Sequence, residues 1–84
     1  MNSIDILKKK ILYRSEYRGT KEMDLLMSGF VKKYINDFNI NELKQLEELL
    51  SLDDDILFKW ILNKKVKKII PNNKVSLLLK NFKI

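Results

Sequence analysis

Residues 20–36 read TKEMDLLMSGFVKKYIN and carry the clearest helical pattern in the chain. Apolar residues recur at intervals of three and four, which is the period of an α-helix with one buried face. Gly29 lies inside this helix at a cost of about 1 kcal/mol relative to alanine, and we interpret it as a point where another helix approaches closely. The apolar stripe consists of Met23, Leu26, Met27, Phe30, Val31 and Tyr34.

Further helices are predicted on both sides of this segment. The first begins with Ser3 as its N-cap and ends at about Tyr17. The third begins after Asn39, because Asn39 and Glu42 match the capping-box pattern, and it ends near Leu52. The predicted core residues of these two helices are Ile4, Leu7, Ile11 and Leu12 in the first, and Leu43, Leu46, Leu49 and Leu50 in the third.

Two shorter helices are predicted in the C-terminal half. Residues 53–55 are all aspartate and open the fourth helix, since carboxylates are favoured at the N-cap and in the first turn. Asn72 or Asn73 caps the fifth. The predicted stripes are Leu57, Trp60 and Ile61, with Trp60 as a core anchor, and Val75, Leu78, Leu79 and Phe82. The chain is therefore predicted to be all-α, a single small bundle of about five short helices with residues 1–84 as one domain.

The composition excludes several kinds of chemistry. The chain has no cysteine and no histidine, so it lacks thiolate nucleophiles, disulfides and the commonest general base and metal ligand. We predict no catalytic residue and no metal site, and we do not expect an enzyme. The apolar runs are far shorter than the roughly 20 residues that cross a bilayer, and the N-terminus does not resemble a signal peptide. No membrane insertion is predicted.

The net charge of +6 is unevenly distributed. Residues 41–60 hold six acidic and two basic side chains, whereas residues 61–84 hold seven lysines and no acidic residue. Only two of the 17 cations are arginine, the residue suited to bidentate phosphate contacts. We interpret the lysines as a solvated surface. The alternative is a small basic nucleic-acid-binding helical protein that uses the densest lysines, Lys64, Lys65, Lys67 and Lys68.

Helix stability does not explain the segment from Arg18 to Glu22. These two residues are four apart, but a basic residue before an acidic one is the weaker order for an intrahelical ion pair. Arg18 would also lie at the positive end of the second helix, where a cation is unfavourable. Gly19 leaves space for another backbone. We therefore predict a docking site for another protein, to which Arg18 offers a forked donor and Glu22 a forked acceptor.

Two motifs resemble those of the succinate dehydrogenase assembly factor family, the flavinylation factors of bacteria and mitochondria. Residues 18–22 match the family's Arg-Gly-x-x-Glu motif, and residues 53–60, DDDILFKW, match an acidic stretch that leads into Leu-x-x-Trp. The resemblance extends from about Ile11 to Leu62. One departure is Ile56, which stands where the family usually has an acidic residue.

This resemblance implies binding to the flavoprotein subunit of succinate dehydrogenase, or of the related fumarate reductase, and promotion of covalent FAD attachment to a histidine of that client. FAD would then belong to the client, with no cofactor bound stably by this chain. A bacterial cytoplasmic protein, monomeric when free and without nucleic acid, is expected. An adaptor for another client on the same bundle stays an alternative. The implied partner-binding residues are Arg18, Gly19 and Glu22, with Asp24, Arg14 and Tyr17 on the same surface.

Overall fold

The computed structural model describes residues 2–16, 18–66 and 70–82, and within these ranges it contains five α-helices and no strand. The prediction of an all-α bundle of about five short helices is confirmed. No helix in the described ranges has the length and apolar character that crossing a membrane requires. The helices are α1 (Ser3–Ser15), α2 (Lys21–Tyr34), α3 (Ile40–Leu50), α4 (Asp54–Ile61) and α5 (Lys74–Asn81).

Side-chain caps fix where most of these helices begin. The Asn39 side chain accepts a hydrogen bond from the backbone N–H of Glu42, and the Glu42 carboxylate accepts one from the N–H of Asn39, both at 2.9 Å. The predicted capping box of α3 is therefore confirmed. Thr20 caps α2. Asn73 caps α5 in a second capping box, with Ser76 in place of the usual glutamate or glutamine.

Other helix boundaries differ from the predictions. Asn2 is the N-cap of α1, and the predicted cap, Ser3, is the first residue of the helix. Asp53 occupies the N-cap position of α4, but its side chain makes no capping hydrogen bond. α1 and α3 each end two residues before the predicted position. The segments that follow these two helices instead form the connections around which the candidate site is built.

Each described helix contributes fully buried apolar side chains to one core. Phe30 of α2 lies at its centre, with its ring centroid 5.0 Å from that of Tyr34 and 5.4 Å from that of Phe82. Because Phe82 directly follows α5, this aromatic contact joins α2 to the C-terminal end of the bundle. Core side chains with 0% exposure are Ile11, Met27, Phe30, Val31, Leu43, Leu46, Leu57, Val75 and Leu79.

Two predictions about packing, those for Ile4 and Gly29, are wrong, and the prediction for Trp60 is confirmed in part, because Trp60 packs against the core. Ile4 is 40% exposed, because the first turn of α1 is solvated on all sides. Trp60 is only partly buried and lies at the edge of the core, with Lys80 Nζ 5.3 Å from its ring centroid. Within the described part of the chain, no backbone of another helix lies within 4 Å of a Cβ atom placed at Gly29. Among those residues the Cβ would meet only the ring of Phe82 at 3.8 Å, which is ordinary van der Waals contact.

Candidate partner-binding site

Arg18 lies in the connection between α1 and α2, and its guanidinium group is turned into the molecule. Nε donates to Asp54 Oδ1 at 2.6 Å. One terminal nitrogen donates to the carbonyl oxygens of Leu50 at 2.9 Å and of Arg14 at 3.2 Å, and the other donates to the carbonyl of Leu52 at 3.0 Å. Only 10% of the side chain is exposed. Arg18 thus joins the last turns of α1 and α3 to the first turn of α4.

The electrostatics of this joint explain why a cation is stable there. The last carbonyl groups of a helix lack intrahelical partners and carry the negative end of its dipole, and Leu50 provides such a group at the end of α3. Asp54 is the first residue of α4, where a carboxylate is favoured. Although Arg18 precedes the positive end of α2, its charge is therefore held between the negative end of α3 and the carboxylate of Asp54.

Gly19 allows the Asp54 carboxylate to approach the backbone. The Gly19 N–H donates to Asp54 Oδ2, and a Cβ atom at position 19 would lie 3.0 Å from that same oxygen. A side chain there would force the carboxylate that binds Arg18 to shift by a few tenths of an ångström. We call Arg18, Gly19 and Asp54 the Arg–Asp clasp. The space beside Gly19, predicted to receive another protein's backbone, is occupied by a side chain of the same chain.

Two more of the predicted site residues are bonded to Arg18. The Asp24 carboxylate accepts a hydrogen bond from the backbone N–H of Arg18, which ties the connection to α2. Arg14 is an exposed residue near the end of α1, and its carbonyl oxygen accepts a hydrogen bond from the guanidinium group of Arg18. Tyr17 lies outside the described residues. The structure therefore brings Arg14 and Asp24 together with the Arg–Asp clasp.

Glu22 differs from its neighbours because it faces solvent. It is exposed on the first turn of α2, and its carboxylate makes no hydrogen bond or ion pair with another described residue. Arg18 and Glu22 thus do not pair with each other. The predicted outward orientation is correct for Glu22 and wrong for Arg18, whose donors are bound within the chain. Partner binding by either residue stays a prediction.

Two clefts meet at Asp54. The larger, about 660 Å³, is open and follows the end of α1 and the connection from α3 to α4, with Arg14, Arg18 and Asp53 on its walls. The smaller, about 340 Å³, lies between α2 and α4, and we call it the Phe58 pocket. It is lined by Thr20, Glu22, Met23, Asp54 and Phe58.

Sequence reasoning missed Asp54 and Phe58 as site residues. Asp54 was interpreted as one of three interchangeable capping residues, and its partner Arg18 is 36 positions away. Both missed residues lie within the second motif of the family resemblance, which was the available signal. Of the lysines considered for nucleic-acid binding, Lys64 and Lys65 are exposed, whereas residues 67 and 68 are outside the described ranges. Those ranges contain no group of three or more potential ligands that could hold a metal ion.

Curated proteins are similar to this chain over most of its length. The chain is similar to succinate dehydrogenase assembly factor 2-B, mitochondrial, of Drosophila willistoni, with 34% identity over 79 residues, 92% of this chain and 51% of that protein. Assembly factor 2-A, mitochondrial, of Drosophila mojavensis is 42% identical over 65 residues, 74% of this chain and 41% of its own length. Assembly factor 2, mitochondrial, of Schizosaccharomyces japonicus is 41% identical over 54 residues, 63% of this chain and 38% of its own length.

The chain spans about half the length, or less, of these curated relatives. No solved structure matches it. Residues 9–83 match the family model described as "Flavinator of succinate dehydrogenase", a range that includes the whole Arg–Asp clasp, Glu22 and the Phe58 pocket. Since that match covers nearly all of the sequence, the chain belongs to the family of succinate dehydrogenase flavinators.

Proposed function

We propose that this chain binds the flavoprotein subunit of succinate dehydrogenase, or of the related fumarate reductase, and promotes the covalent attachment of FAD to it. Family membership supports the proposal. The structural observation that carries it is Glu22, an exposed carboxylate with no partner among the described residues, next to the Arg–Asp clasp. A charged group held at a rigid joint without a partner of its own is suited to bind a group on another protein.

Arg18 and Glu22 have different roles in this proposal. Arg18 is a positioning residue, since its guanidinium group is bound to Asp54 and to three carbonyl groups of its own chain. It holds the start of α2 against α4, and so fixes the direction in which Glu22 projects. Glu22 is the contact residue. This division assigns recognition to the exposed carboxylate and rigidity to the buried cation.

The chain acts in this proposal by holding its client, not by chemistry of its own. Covalent attachment requires a client histidine to be held against the flavin, and a partner that stabilises the productive conformation accelerates such a step through positioning. The flavin is a cofactor of the client, so no residue of this chain is assigned to bind it. The absence of cysteine and histidine fits a non-catalytic role. We propose that the chain is monomeric when free and acts in the bacterial cytoplasm. The relatives named above are described as mitochondrial.

The proposal is tested by co-expression of the chain with the flavoprotein subunit, with covalent flavin measured by in-gel fluorescence. We expect fluorescence of the flavoprotein band to depend on the chain and to fall strongly with Glu22→Gln. Glu48→Gln is the matched control, since Glu48 is an exposed glutamate on α3, and should behave as the unsubstituted chain does. Flavin attachment at the same level with and without the chain would contradict the proposal.

Arg18→Lys separates positioning from contact. Lysine keeps the charge but loses the planar fork that reaches several acceptors at once, so flavin attachment should fall together with the thermal midpoint of the chain. Glu22→Gln should lower flavin attachment without changing the thermal midpoint. A normal midpoint for Arg18→Lys combined with lost activity would instead assign Arg18 to direct contact with the client.

A further inference from the structure

The Phe58 pocket exposes an aromatic ring beside a carboxylate. Phe58 is 45% exposed on α4, although its neighbour Leu57 is fully buried. Met23 is buried and contributes to the lining from α2, while Glu22 and Thr20 of the same segment are exposed. Aromatic side chains such as phenylalanine are enriched at protein interaction sites relative to the rest of the surface.

The pocket has a size that suits part of a polypeptide. Its volume of about 340 Å³ is at the lower end of the range of about 300–1,000 Å³ for ligand pockets. This space admits an amino-acid side chain but not a large cofactor. Because it opens between two helices, a segment of another protein can reach it from solvent without any change in the fold.

The charges of the lining select the partner. Among the described residues that line the pocket, the charged ones are Glu22 and Asp54, and both are acidic. Asp54 is already paired with Arg18 in the Arg–Asp clasp, so the Glu22 carboxylate is the uncompensated charge. The chain as a whole is strongly basic, with a net charge of +6. The pocket is therefore a local acidic site on a cationic protein, which favours a cation and disfavours an acidic segment.

We infer that the Phe58 pocket receives an apolar side chain of the client flavoprotein that is adjacent to a lysine or arginine. The apolar side chain packs on Phe58 and Met23, and the neighbouring cation pairs with Glu22. This inference rests on the proposed function for the identity of the client, and it adds the chemistry of the segment that is bound.

The Arg–Asp clasp makes the pocket rigid before the partner binds. Asp54 belongs both to the clasp and to the pocket lining, and it accepts hydrogen bonds from Arg18 and Gly19 just ahead of α2. The two helices that form the walls are thereby joined at one end of the pocket. A preformed pocket loses less conformational entropy on binding than a mobile one.

The first test measures binding of purified variants to the FAD-loaded flavoprotein subunit by calorimetry. Phe58→Ala and Glu22→Gln should each raise Kd about tenfold or more, as expected for central contacts. Glu22→Gln should also reduce the dependence of Kd on ionic strength. In the double variant, Kd should rise by less than the product of the two single fold-changes, since both residues contact one segment.

Two control variants match the test variants in exposure. Leu77 of α5 is 52% exposed and lies in a different pocket, whose described lining residues include no carboxylate, so Leu77→Ala tests the loss of an exposed apolar side chain. Glu48→Gln tests the loss of an exposed negative charge. Both controls should change Kd by less than about twofold. Thermal unfolding of every variant checks that the fold is retained.

The second test does not use the flavoprotein. The chain, labelled with ¹⁵N, is titrated with millimolar N-acetyl-Leu-Arg-amide and, in parallel, with N-acetyl-Leu-Glu-amide. The arginine compound should shift the backbone amide signals of Thr20, Glu22 and Phe58, and Phe58→Ala should abolish these shifts. The glutamate compound should leave them unchanged. Equal shifts with both compounds, or none with either, would overturn the inferred chemistry of the pocket.

The two tests separate the inference from the proposed function. If the unsubstituted chain binds the flavoprotein and the Phe58→Ala variant binds it equally well, the pocket assignment is overturned and the proposed function stands. If the arginine compound shifts the amide signals but the chain does not bind the flavoprotein, the proposed function is overturned. The same result supports the selectivity of the pocket for an apolar side chain next to a cation.

Discussion

Two ion pairs each connect segments that are distant in sequence, and they differ in how their cations are held. Arg18 binds Asp54 at 2.6 Å, with side-chain exposures of 10% and 21%. Lys74 binds Glu42 at 2.9 Å, but 67% of the lysine side chain is exposed. Both carboxylates lie in the first turn of a helix, α4 or α3. The difference therefore lies in the cation and its surroundings.

The comparison shows why the two pairs contribute unequally to the structure. The Lys74 ammonium is largely hydrated, and exposed pairs of this kind contribute little to stability. Arg18 is nearly buried, and its planar group also binds three carbonyl oxygens. Removing one partner of such a network leaves buried polar groups without hydrogen bonds. We expect the Arg18 pair to hold the candidate site in shape and the Lys74 pair to add only a small increment.

The largest effect is expected from Arg18→Ala. Asp54 and the three carbonyl groups lose their donor, and the free energy of unfolding should fall by about 2–4 kcal/mol, somewhat below the range for fully buried pairs. Urea unfolding followed by circular dichroism measures the loss. Arg14→Ala is the matched control, because Arg14 is an exposed residue. This substitution should change the free energy of unfolding by less than about 0.5 kcal/mol. Equal effects of the two variants would refute the structural role of the clasp.

Gly19→Ala should have the next largest effect. The added Cβ would lie 3.0 Å from Asp54 Oδ2 and would force the carboxylate to shift by a few tenths of an ångström from its position beside Arg18. We expect a loss of about 1–2 kcal/mol from this overpacking and the weakened hydrogen bonds, again measured by urea unfolding. The effect should shrink when the same substitution is made in Asp54→Ala, where the clashing carboxylate is absent. Additive losses in the double variant would contradict the proposed contact.

Gly29→Ala extends the comparison to the other glycine, and it should raise the free energy of unfolding, whereas Gly19→Ala should lower it. Here the added Cβ meets the Phe82 ring at an ordinary distance of 3.8 Å, and Gly29 lies in the interior of α2. Alanine should stabilise the chain by about 0.5–1 kcal/mol, because it has the higher helix propensity and a less flexible unfolded state. A rise in the thermal midpoint checks this. A fall would mean that the packing around Phe82 is tighter than the distance indicates.

Lys74→Ala should have the smallest effect of the four substitutions, and it should depend on pH. The Lys74 ammonium, which donates to the carboxylate, and then the N–H of Asn39 hold the pKa of Glu42 below its ordinary value. Since the folded pKa is lowered, this stabilisation is fully present above the ordinary carboxyl value of about 4.3. It is lost as the pH falls through the folded pKa.

The pH dependence is measured by urea unfolding of both chains from pH 7 to pH 3. The difference in stability between the unsubstituted chain and Lys74→Ala should be constant near neutral pH and should decrease in acid. Glu42→Gln serves as the control, because in that background Lys74→Ala should have no pH-dependent effect. A difference that grew as the pH fell would contradict the assignment of this pair.

Local patterns of the sequence predicted much of the fold. Helix period depends on residues three and four apart, and caps depend on residues within one turn, so both can be seen in a short window. This is why α2 and the capping box of Asn39 and Glu42 were predicted correctly. The capping box of Asn73 and Ser76 was equally local, but the serine does not match the usual pattern.

The family motifs gave the location of the site, and the sequence also identified Arg18 and Glu22 as poorly matched to helix stability. It did not determine which way each side chain points. That depends on Asp54 and on the carbonyls at the end of α3, groups that are more than 30 positions from Arg18 and reach it only when the helices pack. Local sequence thus determined the helices and the position of the motif, because those interactions lie within one turn. Only the tertiary structure decided that Arg18 is bound inside and that the exposed Glu22 has no partner among the described residues, because long-range contacts have no local pattern.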